Sequence, residues 1–204
     1  MLFRARYPLM ALAIVLVFVI VGVFIGWLQS RPDASQTKAS GGPVIAEFTL
    51  LDHEGKKVVK LDVLGRPSLW FFGFTNCPDV CPTMLASLSV VLSKGKFEKD
   101  QIGVYFVSVD PERDTPAVLK TYLASFDARI RGITGDPTEI GKLAKSLGIY
   151  HAKVDTGGGA YSVDHSALVV QLDSRGEFFG TIAYDEAQEA AIAKVRRLVL
   201  EGNR

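Results

Sequence analysis

The chain of 204 residues has only two cysteines, which are separated by three residues in the segment FGFTNCPDVCP. Pro82 has no backbone N–H and fits only the first turn of a helix, so the helix that follows cannot begin much before Asp79. Cys77 is therefore predicted to lie in the loop that leads into this helix, and Cys81 in the first helical turn. There the positive end of the helix dipole is expected to lower thiol pKa values. Both sulfurs are predicted to face one small exposed volume.

The cysteine pair is compatible with three kinds of chemistry. A structural disulfide would close a loop of only a few residues, which gives little entropic stabilisation. Redox catalysis is possible, although the spacing differs from the Cys-x-x-Cys of disulfide oxidoreductases. In a metal site, the wider spacing would leave room for an ion, and two soft thiolates select Cu(I) over hard cations. Copper binding is therefore the favoured hypothesis, and a redox role stays open.

An imidazole would be the usual third copper donor, and the chain has three histidines. His53 lies in a predicted hairpin turn, where it is expected to be solvated. His151 follows a predicted helix and a short apolar stretch, and it could lie at the rim of the site. His165 directly precedes a predicted central strand and could face the cysteine loop, with Asp164 or Ser166 orienting its ring. Position alone leaves the third ligand open. Zinc fits less well than copper, because structural zinc sites use four protein ligands.

From residue 44 onwards, predicted strands alternate with predicted helices. The runs Ser68–Phe74 and Gln101–Val109 are almost continuously apolar, as expected for strands buried on both faces. Two further helices are each opened by an N-cap residue followed by proline. The other predicted elements are the hairpin Ala46–Leu50 with Val58–Leu61, the helices Pro82–Leu92, Pro116–Phe126 and Pro137–Leu147, the hairpin Ala167–Leu172 with Glu177–Ile182, and the helix Glu186–Glu201. This order describes an α/β domain of the thioredoxin-like fold with an N-terminal β-hairpin.

Residues 9–28 form a stretch of twenty residues without a charge. As a helix it would be about 30 Å long, which matches the hydrocarbon core of a bilayer, and we predict a retained transmembrane anchor. A buried helix would need apolar surroundings on all sides, and a cleaved signal peptide would have a shorter apolar stretch. Basic residues before the span place residues 1–8 in the cytoplasm. Residues 29–43 are small and polar and are predicted to be a flexible linker, which leaves 44–204 as one domain.

The composition of the chain excludes several classes of partner and site and indicates a location. With 23 Lys and Arg against 22 Asp and Glu, the net charge of +1 argues against a nucleic-acid partner. Two cysteines are too few for a disulfide scaffold or a four-thiolate zinc site. No transit-peptide composition is visible. The simplest interpretation is a single-pass protein of the bacterial inner membrane with its C-terminal domain in the periplasm.

Three motifs in order make the chain recognisable. They are GFTNCPDVCP, then VSVDPERDTP at 107–116, then VDHS at 163–166 followed by an apolar strand and LDSRG. Over residues 44–204 the chain resembles the Sco/SenC family. These are membrane-anchored, thioredoxin-fold copper-binding proteins that assist the assembly of cytochrome c oxidase.

The resemblance implies a site and a function. It assigns Cys77, Cys81 and His165 as ligands of one copper ion, held as Cu(I), with Cu(II) as a second state. It implies copper delivery to the dinuclear copper centre in subunit II of cytochrome c oxidase, so a carrier is expected rather than an enzyme. A periplasmic thiol reductase is a further implied partner, because a Cys77–Cys81 disulfide would switch the site off. An upstream copper donor is also implied. The alternative is a membrane-tethered thiol–disulfide reductase that acts on the oxidase's own cysteines.

Three other features receive no chemical role from the sequence. Turn chemistry explains most of the segment DPERDTP, and Asp79 is expected to shape the cysteine loop or cap the helix. The segment around Gly157–Gly159 is predicted to be a flexible loop.

Overall fold

The computed structural model describes residues 16–17, 20–22 and 42–203. The N-terminal segment 1–8, most of the predicted anchor and nearly all of the predicted linker lie outside these ranges, so these assignments stay predictions. Within the described ranges, no helix combines the length and apolar character that crossing a bilayer requires.

Nine strands and four α-helices are found in residues 42–203. The strands are β1 (Thr49–Asp52), β2 (Lys57–Val59), β3 (Ser68–Gly73), β4 (Gly103–Ser108), β5 (Ile130–Thr134), β6 (His151–Gly157), β7 (Ala160–His165), β8 (Leu168–Leu172) and β9 (Phe178–Ala183). The helices are α1 (Val80–Gly95), α2 (Pro116–Leu123), α3 (Pro137–Ser146) and α4 (Gln188–Glu201).

Seven of the strands form one mixed sheet in the order β2-β1-β5-β4-β3-β8-β9. β3, β4 and β5 are parallel, and the outer strands join them antiparallel. β6 and β7 form a separate antiparallel hairpin, paired only with each other. The domain therefore has a seven-stranded body and a two-stranded hairpin beside it.

The centre of the sheet is apolar throughout. Every residue of β3 and β4 is buried, and Trp70 stacks on Tyr105 with ring centroids 4.4 Å apart. Parallel strands buried in this way require helices over both faces. α1 packs against α4, and α2 packs against β5. The carboxyl end of β3 leads directly into the cysteine loop, so the most rigid part of the sheet positions that loop.

The α/β class, both buried strands, all four helices and both predicted hairpins are confirmed, with boundaries shifted by a few residues. The Thr115 hydroxyl accepts the Val118 N–H at 3.3 Å, and the Asp136 carboxylate accepts the Thr138 N–H at 2.8 Å. These caps confirm how α2 and α3 begin.

Two elements were not predicted from the sequence, namely strand β5 and the β6–β7 hairpin. β5 is short and interrupted by Gly132, so its pattern is weak. The segment Gly157–Gly159, which was expected to be a flexible loop, closes the β6–β7 hairpin, with Gly158 and Gly159 in the turn. Its three glycines have φ angles of 88°, 64° and 81°, a region that residues with a side chain rarely adopt.

Candidate metal centre

The two cysteines lie where the sequence places them. α1 begins at Val80, so Cys77 is in the preceding loop and Cys81 is in the first turn. The Cys81 N–H donates to Cys77 Sγ at 3.4 Å, which keeps the loop folded over the helix start. Asp79 occupies the N-cap position, but its side chain makes no capping bond and instead accepts the Thr83 hydroxyl at 3.2 Å. Both cysteines are free thiols.

His165 reaches the cysteines from a distant part of the chain. It is the last residue of β7, and its Nε2 lies 3.3 Å from Cys81 Sγ across 84 sequence positions. One donor atom from each of Cys77, Cys81 and His165 lies within 4.8 Å of the other two. Among the residues that the structure describes, this is the one cluster of three or more Cys, His and acidic side chains able to share an ion.

The imidazole of His165 is oriented by the main chain. Its Nδ1 lies 3.2 Å from the carbonyl oxygen of Ser166, and a carbonyl only accepts, so Nδ1 carries the hydrogen. Nε2 is then left with a lone pair directed at the sulfurs. Phe71 and Phe74 pack edge-on against the ring at centroid distances of 6.1 and 5.8 Å. Ser166 therefore fixes the tautomer, and it does so through its carbonyl, while Asp164 lies exposed on the strand.

Burial corrects the expected acidity of Cys81. The helix start was expected to lower its pKa, but the side chain is completely buried and desolvation raises the pKa of this thiol above its usual value. Both sulfurs were also predicted to face an exposed volume. This is correct only for Cys77, which is partly exposed, because Cys81 is buried. Desolvation also lowers the pKa of His165, which keeps the imidazole neutral at physiological pH. Without metal, the site therefore holds a protonated buried thiol beside a neutral imidazole.

Gly73, the last residue of β3, makes room for the buried sulfur. A methyl group added at this position would lie 2.6 Å from Cys81 Sγ and 2.9 Å from Cε2 of Phe106. Both distances are too short for non-bonded atoms. The strand can therefore pass behind the sulfur only where the residue has no side chain.

The DPERDTP segment holds the cysteine loop in place, a role that the sequence analysis missed. The buried carboxylate of Asp114 accepts the hydroxyl of Ser108 at 2.6 Å and also two hydrogen bonds from Thr75, two residues before Cys77. Turn propensity, by which the sequence analysis explained this segment, does not account for these hydrogen bonds. The available signal was an acidic residue between a strand and a helix, but only the structure shows that this carboxylate is buried and therefore needs partners.

The other two histidines lie outside the cluster. His53 is anchored where solvation was expected, since its Nδ1 accepts the Gly132 N–H at 2.9 Å. His151 is the cross-strand partner of His165 in the hairpin, and desolvation lowers its pKa. It lines a groove with Pro137 and Ile140. Neither histidine has a nitrogen within the three-donor cluster.

The arrangement provides two sulfurs and one nitrogen to a single small volume. Soft thiolates with an imidazole suit copper, and three donors leave a coordination position open to an incoming ligand. The two sulfurs are also close enough that a small rearrangement would bring them to disulfide distance. Metal binding and thiol oxidation would therefore exclude each other at this site.

Comparison with known proteins gives a family and a fold. A model of the SCO1/SenC family matches residues 36–200. The mitochondrial SCO1 homolog 1 of Arabidopsis thaliana is 37% identical over 153 residues, which is 74% of this chain and 44% of that protein. The chain thus spans less than half the length of this relative.

Solved structures agree with this match. The structure of Bradyrhizobium japonicum ScoI with copper bound is 43% identical, with a TM-score of 0.71 over 76% of this chain and 99% of that one. BsSco, described through a disulfide switch and as a member of the Sco family of cytochrome c oxidase assembly proteins, is 25% identical, with a TM-score of 0.64 over 82% of this chain and 99% of its own. These likenesses confirm the thioredoxin-like α/β fold.

Proposed function

Because this chain belongs to the SCO1/SenC family, we propose that it carries copper and delivers it to the dinuclear copper centre in subunit II of cytochrome c oxidase. One observation carries this proposal most directly: donor atoms of Cys77, Cys81 and His165 lie within 4.8 Å of one another. The copper-bound relative from Bradyrhizobium japonicum supports the choice of metal.

The donor set suits a cargo better than a permanent cofactor. Two thiolates and an imidazole hold Cu(I) well, but they leave the ion open to a fourth ligand. A ligand from the recipient can enter that position before a donor of this chain leaves. Copper would then pass between proteins by stepwise ligand exchange, one ion at a time.

The oxidation state of the cysteines would control loading. Copper requires both thiols to be reduced, so a Cys77–Cys81 disulfide abolishes the site. A periplasmic thiol reductase and an upstream copper donor are therefore proposed partners. The disulfide switch described for BsSco supports this part of the proposal.

The proposed location follows from the sequence. Residues 9–28 would anchor the chain in the bacterial inner membrane, with 1–8 in the cytoplasm, 29–43 as linker and 44–204 in the periplasm. Donor and recipient would then share one membrane surface, which raises their effective concentration.

The site is tested with the full-length chain, reconstituted anaerobically with Cu(I). X-ray absorption should count two sulfur neighbours and one nitrogen neighbour. His165→Ala should lose the nitrogen and either cysteine-to-serine change should lose a sulfur, whereas the matched control His151→Ala should leave all three. An unchanged nitrogen count in His165→Ala would exclude the three-donor site. Delivery is then measured as the transfer of copper to the soluble domain of subunit II.

A second candidate function is thiol–disulfide reduction of the oxidase's cysteines. The observation that favours it is the unequal burial of the pair, since Cys77 is partly exposed and Cys81 is buried, as for an attacking thiol and a resolving thiol. This reaction does not need His165. If His165→Ala reduces the recipient's disulfide at the normal rate but transfers no copper, the two functions are separable.

A further inference from the structure

His165 is carried by the β6–β7 hairpin, which lies outside the seven-stranded sheet and joins it two residues later at β8. Strands β6 and β7 pair with each other and with no strand of the seven-stranded body. The sulfurs of Cys77 and Cys81 are held by β3 and α1, whereas the imidazole is held by the hairpin. The distance from nitrogen to sulfur therefore depends on the two-residue link from His165 to β8 and on the contacts that hold the hairpin against the body.

Side-chain contacts of Arg113 contribute to that attachment, beside the buried Val163 of β7 and the packing of His165 against Phe71 of β3. Arg113 lies between β4 and α2, and its Nη1 donates to the carbonyl oxygen of Tyr161 at 3.1 Å. Its guanidinium carbon lies 4.0 Å from the centre of the Tyr161 ring and 5.8 Å from that of Phe74. Phe74 in turn packs edge-on against His165. One cation thus contacts the hairpin, the cysteine loop and, through a phenyl ring, the candidate ligand.

Asp110 fixes the cation in this position. Its carboxylate is completely buried, pairs with Arg113 Nε and accepts the Tyr161 hydroxyl at 2.8 Å. Side chains alternate along a strand, so Tyr161 and His165 lie on the same face of β7. Holding Tyr161 at two points therefore also fixes the face and the register of the strand that ends at His165.

We propose that Arg113, with Asp110 and Tyr161, is a latch that positions His165 against the two sulfurs, so that the imidazole contributes to copper binding only while the latch is closed. Arg113 is a positioning residue here, since it makes no contact with the proposed ion. The inference rests on the proposed function, because it presupposes copper at Cys77 and Cys81.

One feature of Arg113 is hard to explain by stability alone. Its Nη2 is buried and has no hydrogen-bond partner among the described residues. A buried donor without a partner lowers the free energy of unfolding. Stability alone would therefore favour an arrangement in which Nη2 has a hydrogen-bond partner. The orientation does satisfy the two contacts of Arg113 with Tyr161 that attach the hairpin.

The test is a double-mutant cycle on the full-length chain, with Cu(I) affinity measured by competition against a chromophoric chelator. Loss of an outer-shell partner lowers metal affinity by about 10-fold or more, and we expect that loss for Arg113→Gln. In the His165→Ala background the same change should lower affinity by less than about 2-fold, because the residue acts through the imidazole. X-ray absorption of copper-loaded Arg113→Gln should show the nitrogen neighbour weakened or lost and both sulfurs retained.

Three variants keep the proposal falsifiable. Arg113→Gln leaves the Asp110 carboxylate buried without its cation and could unfold the domain, so Asp110→Asn with Arg113→Gln removes both charges together. Arg113→Lys keeps the charge but cannot span both partners, and we expect it not to restore affinity. Arg131→Gln is the matched control, since Arg131 pairs with Asp52 far along the sheet from the site. It should leave copper affinity unchanged.

The outcomes separate this inference from the proposed function. If the unmodified chain binds no copper, the proposed function fails. If it binds copper and the neutral pair of substitutions has normal affinity and a normal nitrogen neighbour, the latch is wrong. An equal loss in the presence and absence of His165, or full rescue by Arg113→Lys, would show that Arg113 acts by charge and would also overturn the positioning role.

Discussion

The buried carboxylate of Asp114 holds Thr75 by two hydrogen bonds, one from the amide at 2.9 Å and one from the hydroxyl at 2.6 Å. Thr75 opens the loop that carries Cys77, and Asp114 closes the loop after β4. The two residues are 39 positions apart. The cysteine loop is therefore clamped to the neighbouring strand by a side chain that belongs to neither the loop nor the helix.

Thr75→Val should loosen this clamp. The change preserves shape but leaves one oxygen of a buried carboxylate without its donor, which costs about 1–3 kcal/mol of unfolding free energy. We expect Cu(I) affinity to fall by about 10-fold as the loop shifts. Urea unfolding and chelator competition measure the two effects. The control Thr121→Val removes an exposed hydroxyl bond on α2 and should change stability by no more than about 0.5 kcal/mol. Equal effects at both positions would contradict the clamp.

Gly73→Ala should displace the Cys81 sulfur. The added methyl group would overlap Sγ and the ring of Phe106, and overpacking of this kind costs about 1–3 kcal/mol. Thermal unfolding should show the loss, and X-ray absorption should show a longer or missing copper–sulfur distance. Gly141→Ala on α3 is the control, because nothing lies within 4 Å of the added atom. It should stabilise the helix by up to about 1 kcal/mol. A stable Gly73→Ala with normal copper–sulfur distances would show that the strand can move aside.

Copper affinity should increase with pH well into the alkaline range. Burial raises the pKa of Cys81 above its ordinary value of 9.0, so the metal must displace a proton from this thiol at neutral pH. Each proton released makes the apparent affinity about tenfold higher per pH unit. The lowered pKa of His165 means that the imidazole adds nothing to the slope above neutrality. Competition titrations across this range measure the slope, and Cys81→Ser should reduce it by one proton. A plateau near neutral pH would indicate that Cys81 is already a thiolate.

The Asp127–Arg129 pair should contribute stability that is lost in acid. The hydrogen bond from Arg129 lowers the pKa of Asp127 below its ordinary 3.8, so the folded state favours the charged carboxylate. That contribution is fully present above 3.8 and is lost as the pH falls through the lowered folded value. Asp127→Asn should therefore be less stable than the unmodified chain at neutral pH, and the difference should close at low pH. Urea unfolding at several pH values measures it; a constant difference would contradict the assignment.

Local signals in the sequence were strong enough to place most of the fold. Pro82 fixed where α1 could begin, and Thr115 with Pro116 fixed the start of α2, because backbone hydrogen bonding leaves these residues few alternatives. β5 and the β6–β7 hairpin were missed for the opposite reason. β5 is buried but short and broken by Gly132, and it pairs with strands that are distant in the sequence. The β6–β7 hairpin is local, but most of its residues are exposed or half-buried, so it lacks an apolar pattern.

The site divides in the same way. Cys77 and Cys81 were recognisable from type and spacing alone, since both belong to one turn. His165 became a candidate ligand through the resemblance to a family, because no local pattern reports a contact across 84 positions. The prediction that the pKa of Cys81 is lowered was wrong, because the burial of this thiol depends on the strands packed around it. The roles of Asp110 and Asp114 were missed because a turn motif does not reveal which side chains point inwards.

The hairpin holds its functional residue at its base. Only Ser166 and Ala167 separate His165 from β8, which is hydrogen-bonded to β3, whereas the turn Gly157–Gly159 lies at the other end of β7, roughly 17 Å away. A fluorophore, spin label or affinity tag inserted at that turn would therefore report on hairpin motion from a point distant from the imidazole. The glycine turn is thus a suitable position for a probe that detects hairpin motion when copper binds or is released.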